Sequence, residues 1–342
     1  MAQDVKLQDV ADAAGVSIAT ASRALGSKSR VSPETAKLVA DTARELGYRV
    51  DHIARAMRAG STRTVGMVVP LIGNPLFAEL INGVENELQR HGFELVLADS
   101  HADVAQEGRR LDTLVDRRVD GILLVSQDRR RSDEAVVRAM QSVPVIQIDR
   151  HLRGVDADFV GVDNEAGMAM LFDHLLSRGV RTVALVSAND RNSVGVARRK
   201  AFDREVKRRG LVARPPTIGS FDVETGVRGA SELLARGPLP DAIVAGADLI
   251  AFGVIAGLRS AGLQVPRDVL VTGFDGIEMS AIYNPPLTTV QQPLVPIARI
   301  AVQFLLARLD RTEEAPRRQL VRPVLLEHES TARMVGTDHA AV

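Results

Sequence analysis

Residues 7 to 30 read Leu7-Gln8-Asp9-Val10-Ala11-Asp12-Ala13-Ala14-Gly15-Val16-Ser17-Ile18-Ala19-Thr20-Ala21-Ser22-Arg23-Ala24-Leu25-Gly26-Ser27-Lys28-Ser29-Arg30. Val10, Ala11 and Ala14 recur at helical spacing and give a first short helix one apolar face. Gly15 follows where a helix end needs a residue tolerant of left-handed backbone. Ser17 then has the hydroxyl to cap a second helix. Ala21, Ala24 and Leu25 fall on the buried side of that helix, leaving Ile18, Ala19, Ser22 and Arg23 outward. A small, polar outer face with one arginine suits entry into a DNA major groove, although helical hairpins also occur inside larger helical domains. Val31-Ser32-Pro33-Glu34-Thr35 starts a third helix, with Ser32 as cap and Pro33 at the first helical position. Lys37, Leu38, Ala40, Ala43 and Leu46 continue it to a stop at Gly47-Tyr48. Three short helices in some fifty residues read as a helix-turn-helix headpiece.

The 342-residue chain is long enough for two or three domains. Its 43 basic and 43 acidic residues balance, so net charge gives no hint of nucleic acid. Residues 1–63 hold ten basic and seven acidic side chains, a local excess of three positive charges. With no cysteine, disulfide and thiolate chemistry are excluded. Neither a signal segment nor a membrane span is read, so a cytoplasmic protein with no membrane partner is expected. Tryptophan is absent and aromatics are few, which argues against a stacking single-strand binder.

From Arg63 onward the pattern changes. Apolar runs at Val65–Val69, Phe93–Ala98, Gly121–Val125, Val143–Ile148, Phe159–Val162, Thr182–Val186, Ala242–Ala245 and Val269–Gly273 are continuous, as buried parallel strands should be. Helical patterns such as Phe77–Arg90, Glu165–Leu176 and Leu249–Ala261 lie between them. Repeated βα units predict an α/β body of two doubly wound, parallel-sheet lobes. Residues 288–292 and 320–330 are expected to return across the boundary between the halves. Such a body places a ligand in the inter-lobe cleft and supplies a hinge. Asp149, Arg150, Asp248 and Asp275 end strands, where open α/β sheets put ligand sites. An acid after a strand is also a common helix cap, and for Asp248 that reading is preferred. Arg198 lies in a basic helix, where most arginines are solvated.

These residues resemble the lactose-repressor (LacI/GalR) family of bacterial transcription regulators over about residues 5 to 335. The resemblance rests on Asp9-Val10-Ala11, Ala14-Gly15-Val16-Ser17, Thr20-Ala21-Ser22-Arg23, Val31-Ser32-Pro33-Glu34-Thr35, Leu46-Gly47-Tyr48, Asn74-Pro75-Leu76-Phe77, Val119-Asp120-Gly121-Ile122 and Pro285-Pro286-Leu287-Thr288-Thr289-Val290, in this order and spacing. It implies a headpiece at 1–50, a hinge helix or linker at 51–62, and an effector-binding and dimerisation core at 63–342. The core's first lobe is expected at about 63–161 and 291–320, and its second at about 162–290 and 321–342. The fold implied is a small all-α headpiece plus two lobes of periplasmic-binding-protein type.

The resemblance also implies roles. Ile18, Ala19 and Arg23 match base-reading positions; arginine donates two hydrogen bonds to guanine O6 and N7, whereas isoleucine and alanine offer only apolar contact. Ser17, Thr20 and Ser22 suit phosphate oxygens. Met57 stands where the family usually inserts a leucine wedge into the minor groove, and a methionine is large enough to unstack a step. Phe77, Asp149, Arg150, Arg198, Phe221, Asp275 and Gln292 match effector positions. Carboxylates accept from vicinal hydroxyls and guanidinium groups donate back. Ala247 replaces an asparagine frequent in the family, so one polar contact is missing. The set is nearest the ribose-binding pattern, which points to a pentose or pentose-containing effector of sugar or nucleoside class.

The expected protein is therefore a repressor that binds pseudo-palindromic, double-stranded operator DNA as a homodimer, nucleoid-associated when bound. Residues 331–342 lack a leucine heptad, so a dimer rather than a tetramer is expected. No metal or other cofactor is called for. A solute-binding receptor without DNA function is the alternative that residues 1–60 speak against. An enzyme fares poorly, because no Gly-rich phosphate loop, metal-ligand cluster or Ser/His/Asp constellation stands out.

Overall fold

The computed structural model describes residues 5–25, 31–48, 61–312 and 315–332. The chain divides into two compact units, Met1–Arg63 and Thr64–Val342. The expected hinge segment with Met57 lies outside the described residues.

In the first unit, α1 (Leu7–Ala13), α2 (Ile18–Ala24) and α3 (Pro33–Glu45) enclose a core of Val10, Ala11, Ala14, Ala21, Val39 and Ala43. The turn after α1 is set by Gly15, whose φ of 65° is left-handed. Val16 N donates to Ala11 O at 3.0 Å and Gly15 N to Asp12 O at 3.2 Å, which satisfies the last carbonyls of α1. α3 ends the same way, with Tyr48 N on Ala43 O and Gly47 N on Arg44 O. Ser17 and Ser32 cap α2 and α3 by accepting from Thr20 N and Thr35 N.

The second unit is a two-lobed α/β body. Its elements are β1 (Thr64–Val69), α4 (Pro75–Arg90), β2 (Glu94–Asp99), α5 (Val104–Asp116), β3 (Gly121–Leu124), α6 (Asp133–Met140), β4 (Val145–Ile148) and β5 (Phe159–Val162). Then come α7 (Asn164–Ser177), β6 (Thr182–Ala188), α8 (Ser193–Arg209), β7 (Val212–Ala213), β8 (Thr217–Gly219), α9 (Val223–Ala235), β9 (Ala242–Ala245), α10 (Asp248–Ser260) and β10 (Leu270–Asp275). α11 (Met279–Ile282), β11 (Thr288–Gln291), α12 (Leu294–Leu309), β12 (Arg318–Val321) and β13 (Val324–Leu326) complete it.

The first sheet runs β12-β5-β4-β3-β1-β2, with every pairing parallel. The second runs β13-β11-β10-β9-β6-β7; β8 also pairs with β6, and β13 alone is antiparallel to its neighbour among the described strands. β1, β3, β4, β9 and β10 are buried almost throughout, as their continuous apolar runs require. The apolar run at 93–98 behaves differently: β2 is a sheet edge and stays partly exposed. β7 and β8 follow one another along the same edge of β6, split by Pro215-Pro216, which lack the amide a continuous strand would donate. The chain passes between sheets after β5, β11 and β12. The segment 288–292 therefore does not itself return to the first lobe. It forms β11 beside β10, and the crossing follows at Gln292.

Candidate effector cleft and nucleic-acid interface

In the headpiece, Ile18, Ala19 and Arg23 are exposed on α2, while Ala21 is fully buried beneath them. Ile18 keeps 47% of its surface in water, an apolar side chain presented rather than packed. Arg23 Nε donates to Ala19 O at 3.0 Å, so its guanidinium lies along its own helix. The Ser17 and Thr20 hydroxyls are 2.8 Å apart at the helix start. Thr20 and Ser22 are half-buried.

In the body, two strand ends face one another across the lobes. β4 delivers Asp149 and Arg150; β10 delivers Asp275. Both aspartates sit at positive φ, 62° and 136°, where a side chain with a Cβ is strained, and such backbone concentrates at binding sites. Phe77 enters from the first turn of α4, which Asn74 caps through Leu76 N. Arg198 enters from α8. Gly195 lets the start of that helix close on the 188–189 backbone, because a Cβ there would collide with the Asn189 carbonyl. Phe77, Asp149, Arg150, Arg198, Phe221 and Asp275 line one small cavity, joined by Asn74, Leu76 and Val194. Gln292 stands behind the wall, donating through Nε2 to Asp275 Oδ1 at 2.8 Å.

Arg198 is buried to 1% exposure and makes three hydrogen bonds. Its Nη1 donates to Asp275 Oδ1 at 3.0 Å and to Gly246 O at 2.6 Å, and its Nε to Asn164 Oδ1 at 2.8 Å. Its guanidinium lies 3.7 Å from the Phe274 ring centroid. Arg150 is buried but loosely held. It donates to Ser126 O at 3.3 Å and lies 3.6 Å from Asp149 Oδ2. It is suspended between the Phe77 and Phe221 rings, at 5.6 and 5.7 Å. Arg150 Nε and Asp149 Oδ1 are buried without a hydrogen-bond partner.

Burial raises the Asp149 carboxyl above the usual range although Arg150 and Arg198 oppose it, and burial lowers Arg150. Burial likewise raises Asp275 against the pull of Arg198 and Gln292. The site thus holds two acid–arginine pairs at low dielectric, one from each lobe, with formal charges that cancel. That balance fits a neutral ligand rich in hydroxyls better than an ion. No cluster of three or more His, Cys, Asp or Glu able to hold a metal occurs among the described residues.

Asp248 corrects the helix-cap reading. The N-cap of α10 is Ala247, and Asp248 is completely buried one residue on. It accepts from Ile277 N at 2.9 Å and from Thr289 Oγ1, pinning the loop after β10 behind Asp275. Burial, then the nearby charge of Asp275, pushes its carboxyl up to about 7. Sequence reasoning also missed Asn164, Phe274 and Ser126, which hold the two arginines. Only the tertiary fold brings them there, and no local pattern marks them.

Comparison with known proteins agrees with both halves. Residues 6–51 match the model of bacterial regulatory proteins, lacI family, and residues 172–331 match a periplasmic binding protein-like domain. The chain is 31% identical over 323 residues to the HTH-type transcriptional repressor PurR of Glaesserella parasuis serovar 5 (strain SH0165), covering 94% of each chain. It is 29% identical over 326 residues to the ribose operon repressor of Escherichia coli (strain K12), covering 95% of this chain and 99% of that one. Among solved structures, a Lac repressor dimer bound to operator and the anti-inducer ONPF has a TM-score of 0.87 at 22% identity, over 97% of this chain and 100% of that one, a likeness of fold.

Proposed function

The chain belongs to the lacI family of bacterial regulatory proteins, and from that membership we propose that it represses transcription as a cytoplasmic homodimer on a pseudo-palindromic operator, switched by a pentose or pentose-containing effector. Two headpieces related by a two-fold axis read two half-sites. Arg23 leaves Ala19 O and donates to a guanine edge, Ile18 and Ala19 make apolar contact, and Ser17, Thr20 and Ser22 meet phosphates. Met57 is the minor-groove wedge, so kinkable central steps favour binding.

One observation carries the effector reading: Asp149 Oδ1 and Arg150 Nε are buried without a hydrogen-bond partner at a cavity walled by Phe77 and Phe221. An unpaired buried polar group costs roughly 1–3 kcal/mol, which a ligand hydroxyl placed between them recovers. A ring between the two phenylalanines displaces the Arg150 guanidinium toward such hydroxyls. The similarity to relatives named ribose operon repressor fits a pentose, free or within a nucleoside. Calorimetric titration of D-ribose and of purine nucleosides into the full chain tests the reading. Saturable, one-per-chain binding that Arg150→Ala abolishes is expected, and no binding by either class overturns it.

A further inference from the structure

The loop after β3 reads Gln127-Asp128-Arg129-Arg130-Arg131-Ser132. Two buried acids hold it from inside. Glu107 accepts from Gln127 N at 2.6 Å, and Asp128 Oδ1 accepts from Arg130 N at 3.0 Å and Arg131 N at 3.2 Å. Ser132 Oγ accepts from Asp128 N at 3.1 Å. The loop's acids therefore serve its backbone and form no ion pair with its three arginines. Arg130 and Arg131 are exposed and Arg129 is half-buried.

This loop is also where the first lobe touches the second. Arg129 N donates to Arg191 O at 2.7 Å, and Arg129 Nε to Asp190 O at 2.9 Å. Arg153 N donates to Arg129 O at 2.9 Å, and one turn of chain earlier His151 N donates to Ser193 Oγ at 3.0 Å. The Arg129 backbone thus ties Arg153 of the first lobe to Arg191 of the second, and Arg130 and Arg131 follow it in the chain. Among the described residues none of the five guanidinium groups has a carboxylate within 4.0 Å, whereas the arginines of α8 at 204, 208 and 209 are all paired. The local field is felt at His151, which burial and then Arg318 and Arg129 push down to about 4.

We propose that this arginine seam is a second ligand site, for a phosphate group, and that filling it holds the lobes closed. Guanidinium forks match phosphate oxygens in bidentate geometry, and several unpaired arginines suit a multivalent anion better than chloride. Four of the arginines belong to the first lobe and Arg191 to the second, so an anion that meets both binds the closed body more tightly than an open one. By linkage it favours whatever the closed cleft holds. The site lies outside the cavity that Arg150 and Arg198 line. The phosphate arrives either as a free anion or as a group carried by a sugar that also enters the cleft.

The test uses the full chain and an Arg130→Ala/Arg191→Ala double variant, both positions exposed. Sodium pyrophosphate, D-ribose 5-phosphate and D-ribose are titrated by calorimetry at constant ionic strength set with sodium chloride. Pyrophosphate binding that is saturable and about ten-fold or more weaker in the variant supports a free-anion site. Ribose 5-phosphate binding with the same arginine dependence, without pyrophosphate binding, supports a phosphate carried on the sugar. If the variant binds both phosphates as the parent does, or neither binds beyond the chloride background, the proposal falls. The pyrophosphate arm does not involve the pentose reading, which the D-ribose arm tests separately.

Discussion

Arg198 and Asp275, 77 residues apart in sequence, form a 3.0 Å ion pair in which both side chains are nearly free of solvent. Asn164 and Gly246 accept further hydrogen bonds from Arg198, and Gln292 donates one to Asp275 Oδ1. Breaking a buried pair by removing one partner leaves the other charge uncompensated. Arg198→Ala is therefore expected to lower stability by about 3–5 kcal/mol, with a correspondingly lower urea midpoint. A midpoint within about 0.5 kcal/mol of the parent's value, the range of an ordinary surface substitution, contradicts the pairing.

Arg150 should behave in the opposite way. Its guanidinium makes one long hydrogen bond and one 3.6 Å ion pair, and the Nε in that pair has no hydrogen-bond partner. Arg150→Met, which keeps the apolar stem between Phe77 and Phe221, is expected to leave the thermal midpoint within a few degrees. Effector affinity falls by about ten-fold or more, the worth of one charged hydrogen bond. Calorimetry and differential scanning measurements on the same sample separate the two effects.

Glu107 gives a pH signature. Burial raises its carboxyl to about 7, against hydrogen bonds from Ser132 and Gln127. Because the folded value lies above the unfolded one, the folded protein holds the proton more tightly. The stability this contributes is full below about pH 4.3 and is lost as pH rises through 7. Glu107→Gln removes the titration, so the variant should gain on the parent between pH 5 and pH 8, by up to about 3 kcal/mol. Equal differences at both pH values would contradict it.

Asp158 has the opposite sign. It is buried, which alone would raise its carboxyl, but Arg308 and Arg317 overcome this and hold it near 2. Its contribution is present above the ordinary carboxylate value near 4 and is lost as pH falls through 2. Asp158→Asn is expected to destabilise the body at pH 7 by about 2 kcal/mol and by little at pH 2, read from urea midpoints at the two pH values.

Much of this molecule is legible in its sequence because the deciding interactions are local. Gly15 stops α1 and Ser17 caps α2 within a few residues, so the headpiece follows from short-range chemistry. The buried strands announce themselves as unbroken apolar runs. Asp149, Arg150 and Asp275 are found at strand ends, where the fold puts ligands. What sequence does not reveal depends on chain segments far apart. Asp248 looks like a cap until Thr289, 41 residues on, occupies it. Arg198 looks solvated until α8 lays it against Phe274. Glu107 and Asp128 carry no mark in the sequence, and only the fold of the 127–132 loop buries them.

The headpiece is checked by one substitution. Arg23→Ala removes the side chain matched to a guanine edge and should cost roughly 1–3 kcal/mol on the preferred operator while relaxing base choice at one position per half-site. Binding selection from a randomised duplex pool reads both. Unchanged base preference in the variant would assign the discrimination elsewhere.

The central claim is that cleft occupancy and operator affinity are linked. The direct measurement is operator affinity of the full chain by fluorescence anisotropy, at fixed salt, with D-ribose and purine nucleosides titrated across saturation. The account predicts that one of them changes the affinity by about five-fold or more, the scale of an allosteric coupling, and that Arg150→Met removes the change without altering affinity in its absence. Affinity that stays constant through saturating effector, or that shifts equally in the Arg150→Met variant, would contradict it.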